Sequence, residues 1–213
     1  NGVSDEKGWS SSWGAAGPRV LWKANVGLGF ASFTVADGRV STTGNAGNTD
    51  TVFCFDAVTG KQIWKQSYPA DLGDKYYEGG TSGTPAADGG RLYQLSRWGD
   101  VFCYEASSGK IIWEKNVQKE SGANIPDWGF GGSPLVHEGL LILNVGGAGM
   151  ALDKTTGRTM WQSGPESAGY SPPLPLPLPS SRGRAGDFEL IMGSAASYLS
   201  VNPKTGAKLW EVD

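Results

Sequence analysis

A chain of 213 residues can bury a full core as one large all-β domain or two small ones, and its 33 glycines beside nine tryptophans describe many turns around aromatic packing rather than collagen or disorder. The 18 basic and 21 acidic side chains, net charge -3, form no basic stripe, so the electrostatic footprint of a nucleic-acid binder is missing. No apolar run reaches the ~18 residues that span a bilayer, and PLVHEGLLILNV is broken by a histidine and a glutamate.

The chain opens NGVSDEKGW, without an initiator methionine or a signal-type apolar stretch, as a processed or cut form would. Residues 1–16 are read as an N-terminal extension and 17–213 as an array of repeats. PRVLWKANV, around Trp22, is expected to be an extra outer strand over about 19–25. One pattern is then copied four times: VFCFDAVTGKQIW (52–64), VFCYEASSGKIIW (101–113), GMALDKTTGRTMW (149–161) and YLSVNPKTGAKLW (198–210). Internal repetition of this kind decides the fold before local propensity does.

Each copy reads as a hairpin: an alternating β-rich segment, a polar turn, and a second short segment. Gly60, Gly109, Gly157 and Gly206 supply the turns, and Trp64, Trp113, Trp161 and Trp210 follow four residues later. Asp56 and Asp153 can fix the turn through backbone N–H groups, whereas Glu105, Ser108 and Asn202 are mild departures. A second hairpin precedes the first, at FTVADGRVSTT, TPAADGGRLYQL and SPLVHEGLLILNV. The predicted architecture is therefore all-β: a propeller of four-stranded antiparallel blades over about 29–67, 80–117, 130–163 and 169–213. No segment has a convincing helical period.

In the last copy SPPLPLPLPSSRGRAG stands where the first hairpin belongs. Proline cannot donate to a ladder, so Pro172 to Pro179 suit an innermost strand with one open side or a polyproline-like detour. Cys54 and Cys103 hold the same position in consecutive repeats and point the same way, which reads as two small buried residues rather than a disulfide.

The loops between repeats differ strongly and should gather at one mouth of the ring, where repeat scaffolds carry function. SYPADLGDKYYEGGTSG offers Tyr76, Tyr77 and Glu78, NVQKESGANIPDWGFGG offers Asp127 and Trp128, and SGPESAGYSPP offers Tyr170. Aromatic faces beside carboxylates suit a sugar or a flat ring; the plainer reading is channel packing with solvated acids. Glu78 and Asp127 are the best pair for glycoside hydrolysis. His137, the sole histidine, sits in a turn expected to face away, and one histidine with two separated cysteines makes no recognisable zinc or serine-histidine set.

The motif D-x-x-T-G-K-x-x-W, complete as DAVTGKQIW, resembles the tryptophan-docking repeat of PQQ-type β-propellers, over residues 17–213. The resemblance implies an eight-bladed ring, of which this array is about half. It also implies that Trp64, Trp113, Trp161 and Trp210 pack on neighbouring blades near the turn glycines. Quinoprotein dehydrogenases of this kind hold PQQ and Ca²⁺ at the ring centre and stack the quinone on a disulfide of adjacent cysteines. This chain has neither adjacent cysteines nor an acidic cluster near a repeat boundary, so the expected cofactor is none.

The function expected is a binding or assembly scaffold that does not bind PQQ, with a protein or glycan as partner. A glycan-acting hydrolase and a PQQ-dependent dehydrogenase relative are the alternatives. The expected location is periplasmic or secreted. A half-ring leaves open faces: a second copy related by two-fold symmetry, a closed four-bladed ring, or a longer chain would each cover them.

Overall fold

The computed structural model describes residues 7–8, 12–75, 77–178 and 187–213. Among these residues the strands form four antiparallel sheets, each of four strands consecutive in the chain. Blade one comprises β1 (Thr34–Ala36), β2 (Arg39–Asn45), β3 (Thr49–Asp56) and β4 (Gln62–Pro69). Blade two comprises β5 (Ala86–Asp88), β6 (Arg91–Leu95), β7 (Asp100–Glu105) and β8 (Ile111–Asn116). A single helical turn, α1 (Val117–Ser121), leads to blade three: β9 (Leu135–His137), β10 (Leu140–Leu143), β11 (Met150–Asp153) and β12 (Thr159–Gln162). Blade four comprises β13 (Leu174–Pro177), β14 (Phe188–Gly193), β15 (Tyr198–Val201) and β16 (Lys208–Val212).

Local chemistry accounts for the hairpins. Between β1 and β2, Asp37 and Gly38 both take positive φ, 48° and 71°, the two-residue turn whose twist matches the flanking strands. Between β3 and β4, Asp56 Oδ1 accepts from the N–H groups of Val58 (3.2 Å) and Thr59 (2.7 Å). Asp153 repeats this with Thr155 and Thr156 at 2.9 and 2.8 Å. Asn202 keeps it with Lys204 and Thr205 at 2.9 and 3.2 Å, so that exchange preserves the turn. In blade two the longer Glu105 instead accepts from the Ser108 hydroxyl. The helical turn lies between blades two and three and leaves the expected all-β architecture in place. Asn116 caps it by accepting from Lys119 N–H and Gly122 ends it at φ 71°; one turn is too short to leave a periodic signature.

The blades stack through apolar layers. Val52, Cys54 and Trp64 meet Leu92, Phe102 and Tyr104. Tyr93, Leu95 and Cys103 meet Leu141, Leu143 and Leu152, and Ile142, Ala151 and Trp161 meet Leu190, Met192 and Val201. Cys54 and Cys103 are free and buried in successive layers. Burial pushes the Cys103 thiol up to about 11, which leaves it a packing residue rather than a nucleophile.

The outer tryptophan of each of the first three blades reaches the next blade. Trp64 Nε1 donates to Ala106 O (2.9 Å), Trp113 Nε1 to Lys154 O (3.1 Å) and Trp161 Nε1 to Pro203 O (2.9 Å). Their rings lie over Gly109, Gly157 and Gly206: a Cβ at Gly109 would come within 2.6 Å of Trp64, one at Gly157 within 2.8 Å of Trp113 and one at Gly206 within 2.5 Å of Trp161. These glycines are needed twice, for positive φ and for the space the indole fills.

Trp22 does the same to blade one, with Nε1 donating to Ala57 O at 3.0 Å and its ring over Gly60. Residues 19–25 are nevertheless not a strand, which corrects the expected extra strand: the indole is docked, but the segment pairs with no strand among the described residues. At the other end Trp210 Nε1 donates to Glu189 Oε2 within its own blade, at 3.0 Å.

The proline run supplies an innermost strand. Leu174–Pro177 pairs with β14, Leu174 opposite Ile191 and Pro177 opposite Phe188, and its other side carries no ladder among the described residues, where missing N–H donors cost least. Pro179 lies outside the described residues. No helix among the described residues is long and apolar enough to cross a membrane.

Candidate functional site

The segments leading into the innermost strands run side by side at one end of the array. Phe30 N–H donates to Thr81 O (2.6 Å), Thr84 N–H to Ser133 Oγ (3.0 Å), and a Cβ on Gly132 would sit 2.8 Å from Ser171 O. Four residues before the first strand of each blade stand Phe30, Ser82, Gly131 and Tyr170. With Tyr77 and Trp128 from the loops between blades, they line one cavity of about 460 Å³. Aromatics stand at this register position before the outer blades and small residues before the middle ones. Phe30 and Tyr77 pair with ring centroids 5.4 Å apart, and Trp128 and Tyr170 pair at 5.1 Å, both tilted.

Arg97, only 3% exposed, assembles this mouth. Its Nε donates to Trp128 O (3.0 Å), and Nη1 donates to Leu72 O (2.8 Å) and Gly80 O (3.1 Å). The guanidinium also lies 5.3 Å from the Tyr77 ring centroid. One planar fork thus ties the loop carrying Tyr77 to the loop carrying Trp128 through carbonyls, a task suited to arginine's fixed donor geometry. Asn144 does the equivalent for Tyr170. Its buried amide donates to Gly169 O (3.2 Å) and Ser171 O (3.0 Å), on either side of that residue.

The fold therefore brings Tyr77, Trp128 and Tyr170 together. Glu78 and Asp127 are exposed and do not line the cavity, and Tyr76 lies outside the described residues. Phe30, Arg97 and Asn144 were not singled out from the sequence. Repeat register is the signal that finds Phe30, because it holds Tyr170's position three blades earlier. Arg97 carries no comparable mark, since its partners are main-chain carbonyls that any sequence supplies.

Beside the exposed acids of the mouth loops, one carboxylate is buried. Asp50 is 3% exposed and accepts from Asn45 Nδ2 at 2.7 Å; desolvation raises its pKa, and the Asn45 bond partly offsets this. Among the described residues no group of three or more His, Cys, Asp or Glu side chains could hold a metal ion. His137 packs edge-on against Phe188, centroids 4.1 Å apart, and is not part of the cavity.

The family model described as outer membrane protein assembly factor BamB matches residues 3–81 and 49–213. No curated protein matches the chain. Among solved structures, quinohemoprotein alcohol dehydrogenase ADHIIG from Pseudomonas putida HK5 aligns with a TM-score of 0.60 at 18% identity, over 90% of this chain and 35% of that one. A europium-containing methanol dehydrogenase aligns at 0.63 and 15%, over 92% and 44%. BamB from Moraxella catarrhalis aligns at 0.55 and 19%, over 88% and 63%. The chain spans about a third to somewhat under two thirds of these proteins, and at such identities the likeness is one of fold.

Proposed function

The chain belongs to the PQQ-like repeat family described as outer membrane protein assembly factor BamB, and from that membership we propose that it is a binding or assembly scaffold that engages its partner through the aromatic cleft and does not hold PQQ. The observation that carries this reading is the lining itself: Phe30, Tyr77, Trp128 and Tyr170 with Ser82 and Gly131, and no carboxylate. Exposed aromatic rings held in place by buried donors are what a recognition surface needs.

A quinone with Ca²⁺ requires several oxygen ligands around the cation, and the lining offers only the hydroxyls of Ser82, Tyr77 and Tyr170. Cys54 and Cys103 belong to different blades, so no adjacent disulfide is available to stack on the quinone. The residues present do not fit that group. Glycoside hydrolysis is also disfavoured, because Glu78 and Asp127 stand off the cleft. A periplasmic or secreted location accords with the outer-membrane role that the family's description names. Closure of the ring by a second copy would have to bring Trp210 to Gly60, a place that Trp22 already fills.

A photoreactive phenylalanine analogue placed at Trp128 tests the reading. It should form protein adducts in bacterial periplasm that the same group at the exposed Val58 does not. Equal labelling at both positions, or stoichiometric PQQ binding with Ca²⁺ at micromolar affinity, would overturn it.

A further inference from the structure

Resting on the cleft as the binding site, we infer that its occupant is a proline-rich segment of another protein, in polyproline II conformation. The cleft presents two things together. Four aromatic rings in two pairs, Phe30 with Tyr77 and Trp128 with Tyr170, line an open cavity with Ser82 and Gly131, and three of the rings are at least two-fifths exposed (Phe30 63%, Trp128 48%, Tyr170 42%). The same lining carries Trp128 Nε1 and the hydroxyls of Tyr77, Tyr170 and Ser82, none with a protein hydrogen-bond partner among the described residues. The site is thus rich in ring faces and in donors, with no charged side chain in its lining.

The complementary ligand brings compact apolar rings and carbonyl acceptors, and demands few acceptors in return. A polyproline II helix fits: it has no internal hydrogen bonds, its carbonyls point outward, its prolines lack N–H groups, and its stiffness keeps the ordering cost low. A hexose would call for carboxylate or amide side chains to accept from its hydroxyls, and the lining has neither; a cation would face the Arg97 guanidinium behind Tyr77 with no acid in the lining to balance it. The cavity, about 460 Å³, suits one short segment rather than a folded surface. The chain's own Leu174–Pro177 run is already committed to β13, so the ligand comes from a different molecule.

The test uses the full chain labelled with 5-fluorotryptophan, the Trp128 resonance being identified by its loss in Trp128→Phe. An octaproline peptide should shift that resonance saturably, and a Gly-Ser peptide of equal length should not. Trp128→Ala and Gly131→Leu, the second filling the floor beside Tyr170, should each weaken octaproline binding at least about tenfold, followed by calorimetry, with the melting temperature kept. A Trp128 response to cellohexaose with none to octaproline would overturn the proline assignment and leave the cleft as the binding site. Silence toward every probe, including partner adducts from position 128, would overturn both. Octaproline affinity unchanged in both variants would place the peptide elsewhere and also sink the proposal.

Discussion

Trp64 and Trp128 differ in what surrounds them. Trp64 is 7% exposed, seated over Gly109 and hydrogen-bonded across the blade boundary. Trp64→Ala should therefore cost about 3–5 kcal/mol, read from urea unfolding, through lost burial and a cavity that the stiff sheets cannot close. Trp128 is 48% exposed, and its loss should leave the unfolding midpoint within experimental error. Asp50 makes the pH prediction. Burial raises its pKa in the folded state, so its stabilising share is present below the unfolded value near ~3.9 and is lost as pH rises through the folded one. Asp50→Asn, which keeps an acceptor for Asn45, should match the wild type in acid and become relatively more stable as pH rises to neutrality. A stability difference that stays flat with pH would contradict this. Asp56 and Asp153 have the opposite sign. Hydrogen bonds from Thr59 and Thr156 hold their carboxyls below the usual range, and what they contribute disappears as pH falls.

The unit that matters at the next scale is the inter-blade loop. The mouth loops contain little regular structure, yet Arg97 fixes two of them by main-chain carbonyls, and Gly80 N–H bonds Leu72 O inside the first at 2.7 Å. Arg97→Met keeps much of the stem volume but takes the donor from Trp128 O and Gly80 O, while Leu72 O keeps the Gly80 N–H, at roughly 1–3 kcal/mol for each carbonyl left unpaired that stays dry. Amides across residues 72–80 and 126–130 should then exchange faster with solvent, while β6, β7 and β10 keep their protection. Arg97→Lys retains the charge without the fork and should restore only part of it. Unchanged exchange in both loops would mean that the cleft is held by its own side chains.

For the whole molecule, the decisive feature is a chain of docks one step out of phase with its ends. Trp22 fills the Gly60 dock, the three repeat tryptophans fill the next three, and Trp210 turns to Glu189 of its own blade. A four-bladed ring closed on itself would need Trp210 where Trp22 stands. Trp22→Ala should therefore uncover Phe55, whose ring it covers at 5.9 Å, and free the Gly60 dock. The expected outcome is a stability loss smaller than the ~3–5 kcal/mol of a fully buried tryptophan, with faster proteolysis confined to blade one. A gain of self-association in the variant, measured by sedimentation, would show that Trp22 blocks closure between copies; an unchanged mass would show that it serves packing alone.

Much of this was determined by the sequence itself, because a repeat states the same local rule several times. The Gly-to-Trp spacing, the Asp-Gly turns and the alternating apolar strands specified four-stranded blades, whereas donor chemistry left the proline run as either an innermost strand or a polyproline-like detour, and pairing with β14 decided for the strand. Of the cleft, Tyr77, Trp128 and Tyr170 stood out as aromatics lying between repeats. The tertiary structure decided the rest. It set Phe30 beside Tyr77 across two blades, left Glu78 and Asp127 off the lining, and buried Arg97 among carbonyls. Those choices depend on distances between segments far apart in the chain, and periodicity, which describes one blade at a time, does not carry them.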